Sequence, residues 1–308
     1  MEEIKLFCAA TIANVSCGFD VLGLALDNVG DEMIVRKVTQ KGVTITKIIG
    51  QDLPLATHKN VAGVAAMALL SKIDTEFGFE IEIYKNIKPG SGIGSSAASS
   101  AGAVYGINEL LGRPFSKHEL VEFAMQGERL ASGVAHADNV APALMGGFTL
   151  VRSTNPLEVI KIAPPVELYA TVIHPQIEVK TSDAREILKN TVPLKTAIAQ
   201  WGNVGGLISG LYTQDYDLIG RSLEDHIIEP IRSILIPAYD AVKEESLRAG
   251  ALGAGISGSG PSIFALSKGL ETAQKVGEAM QKTYAKIGIE HDIHVSKINN
   301  EGIKTIKA

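Results

Sequence analysis

The sequence predicts a two-domain protein of the α+β class. Patterns typical of strands and of helices occur in both halves of the chain, as in folds where helices and sheets share a core. With 308 residues, of which 45% are apolar and 20% charged, the chain is long enough to bury two cores. The pair Pro164-Pro165 separates two strand-like segments, so we expect one domain over residues 1–163 and a second over 164–308.

The first half of the chain combines strands with three helical segments. Strands are predicted over 4–10 and 33–38, and apolar residues at helical spacing predict a helix over 60–73. Alternating Glu and Ile over 80–84 indicates a strand with one buried face. The other predicted elements are a helix after the glycine-rich segment to about Leu111, a helix from a Ser116/Glu119 capping box to about Gly133, and a strand ending at Arg152.

The second half follows the same mixed pattern. Strands are predicted over 168–173, 262–266 and 292–298. Helical segments are predicted near residues 183–189, 194–213, 237–249 and 270–286.

The segment over residues 89–100, which reads PGSGIGSSAASS, carries the most chemical information. Gly90, Gly92 and Gly94 follow a predicted strand and precede a helix rich in small residues. Glycine permits tight turns that expose backbone N–H groups, and a helix N-terminus adds about half a positive charge. This segment, called the glycine loop below, therefore predicts a phosphate-binding site and a nucleotide ligand.

Two other phosphate-binding motifs fit the chain poorly. The sequence has no Gly-Lys dipeptide, which a P-loop NTPase requires, and Ser95 stands where a dinucleotide-binding loop needs its third glycine. The spacing Gly-x-Gly-x-x-Gly does occur at residues 253–258, but a strand-like segment follows it where that motif needs a helix. We interpret 253–258 as a chance match, and a tight structural turn is the simpler explanation for it.

Charge and cysteine content limit the partners. The formal net charge of −5 argues against binding nucleic acid or a membrane surface, both of which favour basic proteins. Cys8 and Cys17 are too few for a disulfide framework. The N-terminal residues lack the apolar region of a signal peptide, so a cytoplasmic protein is expected.

Three segments, at residues 10–23, 89–100 and 253–261, resemble in order and spacing the signature motifs of the GHMP small-molecule kinases. The resemblance extends over nearly the whole chain. It implies an N-terminal domain like domain 2 of ribosomal protein S5 and a ferredoxin-like C-terminal domain. It also implies ATP as co-substrate and Mg²⁺ as cofactor, and it is compatible with a homodimer, since dimers are common in the family.

The motifs at residues 135–147 (AHADNVAPALMGG), 181–185 and 229–237 resemble the branch of the family that phosphorylates homoserine. Mevalonate-type members carry a catalytic aspartate seven positions before the Gly-Gly pair, where this chain has Asn139. Phosphoryl transfer passes through a loose transition state, so positioning and charge neutralisation supply most of the rate even without a strong base.

The resemblance implies roles for individual residues. Ser96 and Glu128 would be the Mg²⁺ ligands, and Asn139 joins them as the candidate catalytic set. The implied ATP site comprises Asn60, Val61, Lys88, Pro89, Gly90, Ser91, Gly92, Ile93, Gly94, Ser95, Ser96, Ala97 and Ser99. The implied substrate site comprises Asn14, Asp20, His136, Asp138, Asn139, Thr181, Arg185, Arg232 and Gly258.

A zwitterionic amino acid would need both signs of charge. Asp20 is the candidate partner for the substrate ammonium, and Arg185 and Arg232 are the candidates for its carboxylate through bidentate pairing. Purely structural explanations remain for each. Asp20 could cap a helix beginning at Val21, Glu128 and the arginines could face water, and His136 could be a structural or a surface histidine.

One departure from the family pattern concerns the first motif, where Ser16-Cys17 replaces the usual Gly-Pro before Gly18. Serine is less free than glycine to adopt positive φ, so the sequence does not determine the backbone conformation of this loop. The leading hypothesis is phosphorylation of L-homoserine in threonine synthesis. The alternatives are another acceptor (mevalonate, a sugar or shikimate) and a nucleotide-binding regulator without turnover.

Overall fold

The computed structural model describes residues 2–177, 179, 181–189 and 191–306, without the side chains of residues 181–183. Its strands are β1 (Glu3–Ala13), β2 (Leu22–Val38), β3 (Val43–Ile49), β4 (Gly78–Tyr84), β5 (Phe148–Thr154), β6 (Leu157–Ile162), β7 (Leu168–Pro175), β8 (Gly253–Ile256), β9 (Ile263–Lys268), β10 (His291–Lys297) and β11 (Lys304–Thr305). Its helices are α1 (Val61–Leu70), α2 (Ser95–Leu110), α3 (Lys117–Ser132), α4 (Val140–Met145), α5 (Thr181–Glu186), α6 (Leu194–Thr213), α7 (Tyr216–Ser222), α8 (Glu229–Arg232), α9 (Tyr239–Arg248) and α10 (Leu270–Lys286).

The strands form two sheets, which confirms the α+β class. Seven strands form the first sheet, in the order β11-β1-β2-β4-β3, with β5 paired to β2 and β6 paired to β5. The second sheet has the order β10-β7-β9-β8 and is antiparallel throughout. Because β11 pairs with β1, the end of the chain returns to the first sheet. The domain boundary between residues 163 and 164 stays a prediction.

Strand β2 is much longer than the sequence pattern indicates. Its C-terminal half pairs with β4 and its first three residues pair with β5, so one strand joins two parts of the sheet. Only residues 33–38 are predicted as strand, because Gly23, Gly30 and the pair Asp27-Asn28 are poor strand formers. Ladder pairing with β1 outweighs these local preferences.

Helix α2 lies on the first sheet, against β1 and β2, and α1 and α3 pack beside it. Small residues make this close approach feasible: an added Cβ at Gly102 would lie 2.5 Å from Cys8 Sγ, and one at Gly106 would lie 2.6 Å from Val35 Cγ2. Ala97, Ala98, Ala101 and Ala103 are fully buried, so their small side chains also permit close packing.

The capping box at the start of α3 is present, with reciprocal hydrogen bonds between Ser116 and Glu119. The second sheet is covered by α9 and α10, while α6 packs against α7. Short elements such as β3, α4, α7, α8 and β8 escape sequence-based prediction because few residues carry each pattern. None of the helices in the described ranges has the length and apolar character that crossing a membrane requires.

Candidate active site

A cavity of ≈ 600 Å³ lies where the loop after β1, the glycine loop and helices α3, α5 and α8 meet. This volume is in the usual range for a small-molecule site. Its lining includes most of the predicted site residues, namely Asn14, Asp20, Val61, Pro89, Gly90, Gly92, Gly94, Ser95, Ser96, Ser99, Glu128, His136, Asp138, Asn139, Arg185, Arg232 and Gly258.

The glycine loop has the backbone conformation that its composition predicts. Gly90, Gly92 and Gly94 have φ angles of +74°, +82° and +72°, a region that L side chains rarely adopt. Gly94 is the N-cap residue of α2, and no side chain caps this helix. The first N–H groups of α2 are therefore available to an anion in the cavity.

The segment 257–262 packs against the glycine loop and forms hydrogen bonds with its backbone. Ser257 Oγ donates to the carbonyl of Gly92 at 2.8 Å, and Ser262 Oγ donates to the carbonyl of Ser91 at 2.6 Å. An added Cβ at Gly92 would lie 2.7 Å from the carbonyl oxygens of Ser257 and Gly260. These contacts occupy the carbonyls of Ser91 and Gly92 and give a structural reason for the serines and glycines of the third motif.

A buried ion pair beneath the glycine loop was not predicted. Lys85 Nζ is paired with Asp31 and also donates to the carbonyl of Ser95 at 2.8 Å and to Ser99 Oγ at 3.1 Å. Both charged side chains are 1% exposed. The alternation along β4 could have revealed Lys85, since it continues the buried positions Ile81 and Ile83.

The predicted metal ligands lie side by side. Ser96 Oγ, at the start of α2, donates to Glu128 Oε2 on α3 at 3.1 Å. Glu128 is 7% exposed, and its Oε1 is buried without a hydrogen-bond partner among the described residues. Burial raises the pKa of Glu128 to about 7, because little water remains to solvate the charge. The explanation that Glu128 faces water is therefore wrong.

Asn139 lies next to the start of the glycine-loop helix. Its Oδ1 accepts a hydrogen bond from Thr11 Oγ1 at 2.7 Å, and an added Cβ at Gly94 would lie 3.1 Å from the same oxygen. Thr11 is fully buried and was missed, since a threonine within a strand has no distinctive sequence signal.

Asp138, the neighbour of Asn139 in the sequence, is a buried carboxyl group. Burial, followed by the charges of Asp20 and Glu128, raises the pKa of Asp138 to about 7.

The charged end of the cavity brings Asp20 and Arg185 into direct contact, although 165 positions separate them in the chain. Arg185 Nη2 donates to both carboxylate oxygens of Asp20, at 2.9 and 3.1 Å. His136 Nδ1 lies 3.6 Å from Asp20 Oδ1, and burial lowers the pKa of this histidine. No helix begins at Val21, because β2 starts at Leu22, so the capping explanation for Asp20 is wrong.

Arg232 is almost fully buried on α8. Its Nε donates to the carbonyl of Ala184 at 2.7 Å, and its guanidinium carbon lies 5.0 Å from the ring centroid of Phe19. Arg185 lies over the same ring at 5.5 Å. Burial and the neighbouring Arg185 lower the pKa of Arg232 to about 10, so the side chain remains cationic at neutral pH. The solvent-facing explanation for Arg232 is therefore wrong.

Gln200 on α6 links these segments and was also missed. Its Nε2 donates to the carbonyl of Cys17 at 2.8 Å and to Asp225 Oδ1 at 3.0 Å. Asp225 in turn accepts from the backbone N–H groups of Ile227 and Ile228, just before α8. One amide thus connects the first motif to the helix that carries Arg232.

The loop of the first motif adopts positive φ at three consecutive residues that are not glycine. Asn14, Val15 and Ser16 have φ angles of +70°, +43° and +62°. Asn14 Nδ2 donates to the carbonyl of Gly258 at 2.7 Å, and Asn14 Oδ1 accepts from the N–H of Asp20 at 3.0 Å. These two bonds hold the loop in a conformation that is locally unfavourable for a β-branched residue such as Val15.

Several predicted residues do not line this cavity. Asn60 caps α1 by accepting from the N–H of Ala62 and donates to the carbonyl of Pro54, while Lys88 Nζ donates to Gln176 Oε1 at 2.9 Å. Lys88 borders a separate shallow cavity next to β10. Ser91, Ile93 and Ala97 are buried behind the loop, and the side chain of Thr181 lies outside the described residues.

A glycine loop at a helix N-terminus and a buried hydroxyl–carboxylate pair line one cavity of small-molecule size, an arrangement typical of small-molecule kinases. Two family models match the sequence: the GHMP kinases N-terminal domain over residues 60–147 and the GHMP kinases C-terminal domain over 207–286. The chain belongs to the GHMP kinase family.

Homoserine kinases are prominent among the similar proteins. One from Chlorobium phaeobacteroides is 49% identical, covering 99% of this chain and 100% of its own length. The crystal structure of a homoserine kinase from Cytophaga hutchinsonii is 55% identical, with a TM-score of 0.96, covering 99% of this chain and 98% of that one. The mevalonate kinase of Methanococcus jannaschii shares the fold alone, with 14% identity, a TM-score of 0.68 and coverage of 96% and 98%.

Proposed function

We propose that this chain is a homoserine kinase, which transfers the γ-phosphate of ATP to the hydroxyl of L-homoserine and gives O-phospho-L-homoserine and ADP in threonine biosynthesis. The single observation that carries the proposal is the full-length similarity to homoserine kinases at 49% and 55% identity. The geometry of the cavity supports it, because phosphate-binding features lie at one end and both signs of charge at the other.

The glycine loop is the proposed site for the ATP phosphates. Positive φ at three glycines and an uncapped helix N-terminus leave backbone N–H groups for phosphate oxygens. Lys85 adds a positive charge below the loop, although Asp31 already pairs with it. Phosphate binding here therefore depends mainly on backbone dipoles, which agrees with the acidic composition of the whole chain.

Ser96 and Glu128 fit the proposed Mg²⁺ site. Mg²⁺ prefers hard oxygen ligands, and the unpartnered Oε1 of Glu128 is a buried oxygen without a proton donor among the described residues. When bound, Mg²⁺ neutralises charge on the transferring phosphoryl group. The high pKa of Glu128 fits this use, since a nearby cation restores the charged form of a carboxylate that burial disfavours.

The proposed acceptor site needs to hold an ammonium and a carboxylate. Asp20 is the proposed partner of the ammonium, and the cations of Arg185 and Arg232 are the proposed partners of the carboxylate. Because Arg185 already contacts Asp20, the ligand would join an existing charge cluster. Both guanidinium groups lie over the ring of Phe19, and this cation–π contact favours a common orientation towards the ligand.

Asn139 is proposed to orient the attacking hydroxyl. Its Oδ1 is occupied by the Thr11 hydroxyl, and the amide nitrogen is a donor that cannot accept a proton at neutral pH. This arrangement supports direct attack of the homoserine hydroxyl on the γ-phosphorus, with positioning supplying the rate. The bond from that phosphorus to ADP breaks, and the hydroxyl proton passes to an oxygen of the transferred phosphoryl group.

An ADP-release assay over a panel of alcohols tests the proposal. We expect turnover with ATP and L-homoserine, and none with mevalonate, galactose or shikimate. Turnover with one of those alcohols but not with homoserine would refute the acceptor. ATP binding measured by calorimetry, with no turnover on any alcohol, would indicate a nucleotide-binding regulator.

A further inference from the structure

His174, near the end of β7, is a buried histidine outside the predicted sites. The residue is 3% exposed, and its Nδ1 lies 3.3 Å from Ser262 Oγ. Its Nε2 is buried without a hydrogen-bond partner among the described residues. A buried ring with one unpaired nitrogen is less favourable than an apolar side chain of similar size, so packing alone does not account for this histidine.

The hydrogen bond between His174 and Ser262 has one possible direction. Ser262 Oγ donates its single proton to the carbonyl of Ser91 at 2.6 Å, so the same oxygen accepts from His174. Burial, followed by the charge of Lys88, lowers the pKa of His174 to about 4, so the ring is neutral at neutral pH. The neutral ring therefore carries its proton on Nδ1 and donates it to Ser262.

The Ser262 hydroxyl acts on the backbone of the glycine loop. A trans peptide is planar, with its C=O and N–H on opposite sides, so a fixed carbonyl of Ser91 also fixes the N–H of Gly92. Gly92 lines the cavity, with φ +82°. The direction of a backbone donor at the proposed phosphate site thus depends on two side chains outside the loop.

A second connection joins the end of β7 to the residue just before the glycine loop. Lys88 Nζ donates to Gln176 Oε1 at 2.9 Å, and Gln176 Nε2 donates to Asp292 Oδ2 at 2.6 Å. Both of these bonds are exposed to water, which weakens them, whereas the bond between His174 and Ser262 is buried. The buried bond is therefore the one that holds the loop conformation.

We propose that His174 is a positioning residue for the phosphate end of the cavity, which holds the glycine loop in its binding conformation through Ser262 and the carbonyl of Ser91. This inference rests on the proposed function, because it requires the ATP phosphates to bind at this loop. His174 is not among the described residues that line the cavity, so it acts on the loop and not on the ligand.

His174→Leu removes the donor and keeps a side chain of similar bulk. We expect the dissociation constant for ATP, measured by calorimetry, to rise about 10-fold, as for other buried hydrogen bonds. The KM for homoserine stays nearly constant, because the acceptor end is unchanged. His174→Asn restores most of the affinity, since its amide nitrogen can donate from nearly the position of Nδ1. An unchanged dissociation constant in His174→Leu would overturn the proposal.

A double-mutant cycle tests the route through Ser262. Ser262→Ala removes the bond to Ser91, and we expect it to weaken ATP binding at least as much as His174→Leu does. Adding His174→Leu to Ser262→Ala then causes no further loss, because both changes break one chain of hydrogen bonds. Additive losses would refute this route, and so would normal ATP affinity in Ser262→Ala.

Thr171→Val is the matched control on the same strand. Thr171 is fully buried, and its Oγ1 donates to the carbonyl of Ala273 on α10 at 2.9 Å. We expect this variant to lower the thermal stability and to leave ATP affinity unchanged. Equal weakening of ATP binding by Thr171→Val and His174→Leu would show a general effect of stability and would overturn the positioning role.

ATP affinity is measured without an acceptor alcohol, which separates this inference from the proposed acceptor. Turnover on mevalonate instead of homoserine would overturn the proposed function, while the ATP affinities of the variants would still decide the role of His174. Normal ATP affinity in His174→Leu, with turnover of homoserine intact, would overturn the role of His174 alone.

Discussion

The two ends of the cavity are built on different principles. The phosphate end uses backbone N–H groups and small side chains of one segment, supported by buried hydrogen bonds such as that from Ser257 to Gly92. The acceptor end uses charged side chains from separate segments, and the side chains of Asp20 and Arg185 are 33% and 36% exposed. A rigid backbone site suits the invariant triphosphate, whereas side chains are easily varied to select an acceptor.

Glu128→Gln is expected to lower kcat more than any other variant considered. It changes only the phosphate end of the cavity. Loss of the proposed metal ligand removes several kcal/mol of transition-state stabilisation, so kcat falls on the order of 10³-fold. Steady-state kinetics across a Mg²⁺ titration measure the fall in kcat. We expect the KM for homoserine to stay nearly constant. Glu122→Gln, on the exposed side of the same helix, is the control. An unchanged Mg²⁺ requirement would remove Glu128 from the site.

Gly92→Ala tests the rigidity of the phosphate end. Gly92 has positive φ, and the added Cβ would clash with two backbone carbonyls. Because both costs apply, we expect the free energy of unfolding to fall by about 3 kcal/mol and ATP affinity to fall with it. Gly42→Ala is the matched control, since Gly42 has φ +105° but meets no atom within 4 Å. It should cost only about 1 kcal/mol. Equal costs in denaturant unfolding would show that the loop is not tightly held.

Asp20→Ala tests whether the two ends act separately. Loss of a charge-assisted contact raises the KM for homoserine about 30-fold, while the dissociation constant for ATP stays within about twofold. Kinetics and ATP titration calorimetry on the same preparation give both values. Equal weakening of the two ligands would show that Asp20 mainly maintains the loop, through its contact with Arg185.

Glu128 also makes the stability of the folded chain depend on pH, an effect that does not involve turnover. Burial raises the pKa of Glu128 from 4.5 to about 7, so between these values the folded chain keeps a proton that the unfolded chain releases. Stability therefore falls as the pH rises through this window. We expect Glu128→Gln to unfold nearly like the unmodified chain at pH 4.5 and to be more stable by up to about 3 kcal/mol at pH 8. Thermal unfolding at both pH values measures this, and a gain that is independent of pH would contradict it.

The same contrast separates what sequence patterns predict from what they miss. The glycine loop, the Ser116/Glu119 capping box and the main helices follow from residues within a few positions of each other. Lys85, Thr11 and Gln200 were missed, because Asp31, Asn139 and Cys17, with which they pair, lie far along the chain. Lys88 shows the converse, since position next to a phosphate loop does not decide where a long side chain points.

The sequence by itself determined the class of fold and the location of the phosphate-binding loop, because backbone geometry at glycine and at a helix N-terminus depends on local residues. Only the tertiary structure decided that Asp20, Arg185 and Arg232 meet around one aromatic ring. Such contacts depend on how sheets and helices pack, and a periodic pattern gives the face of an element without giving its partner.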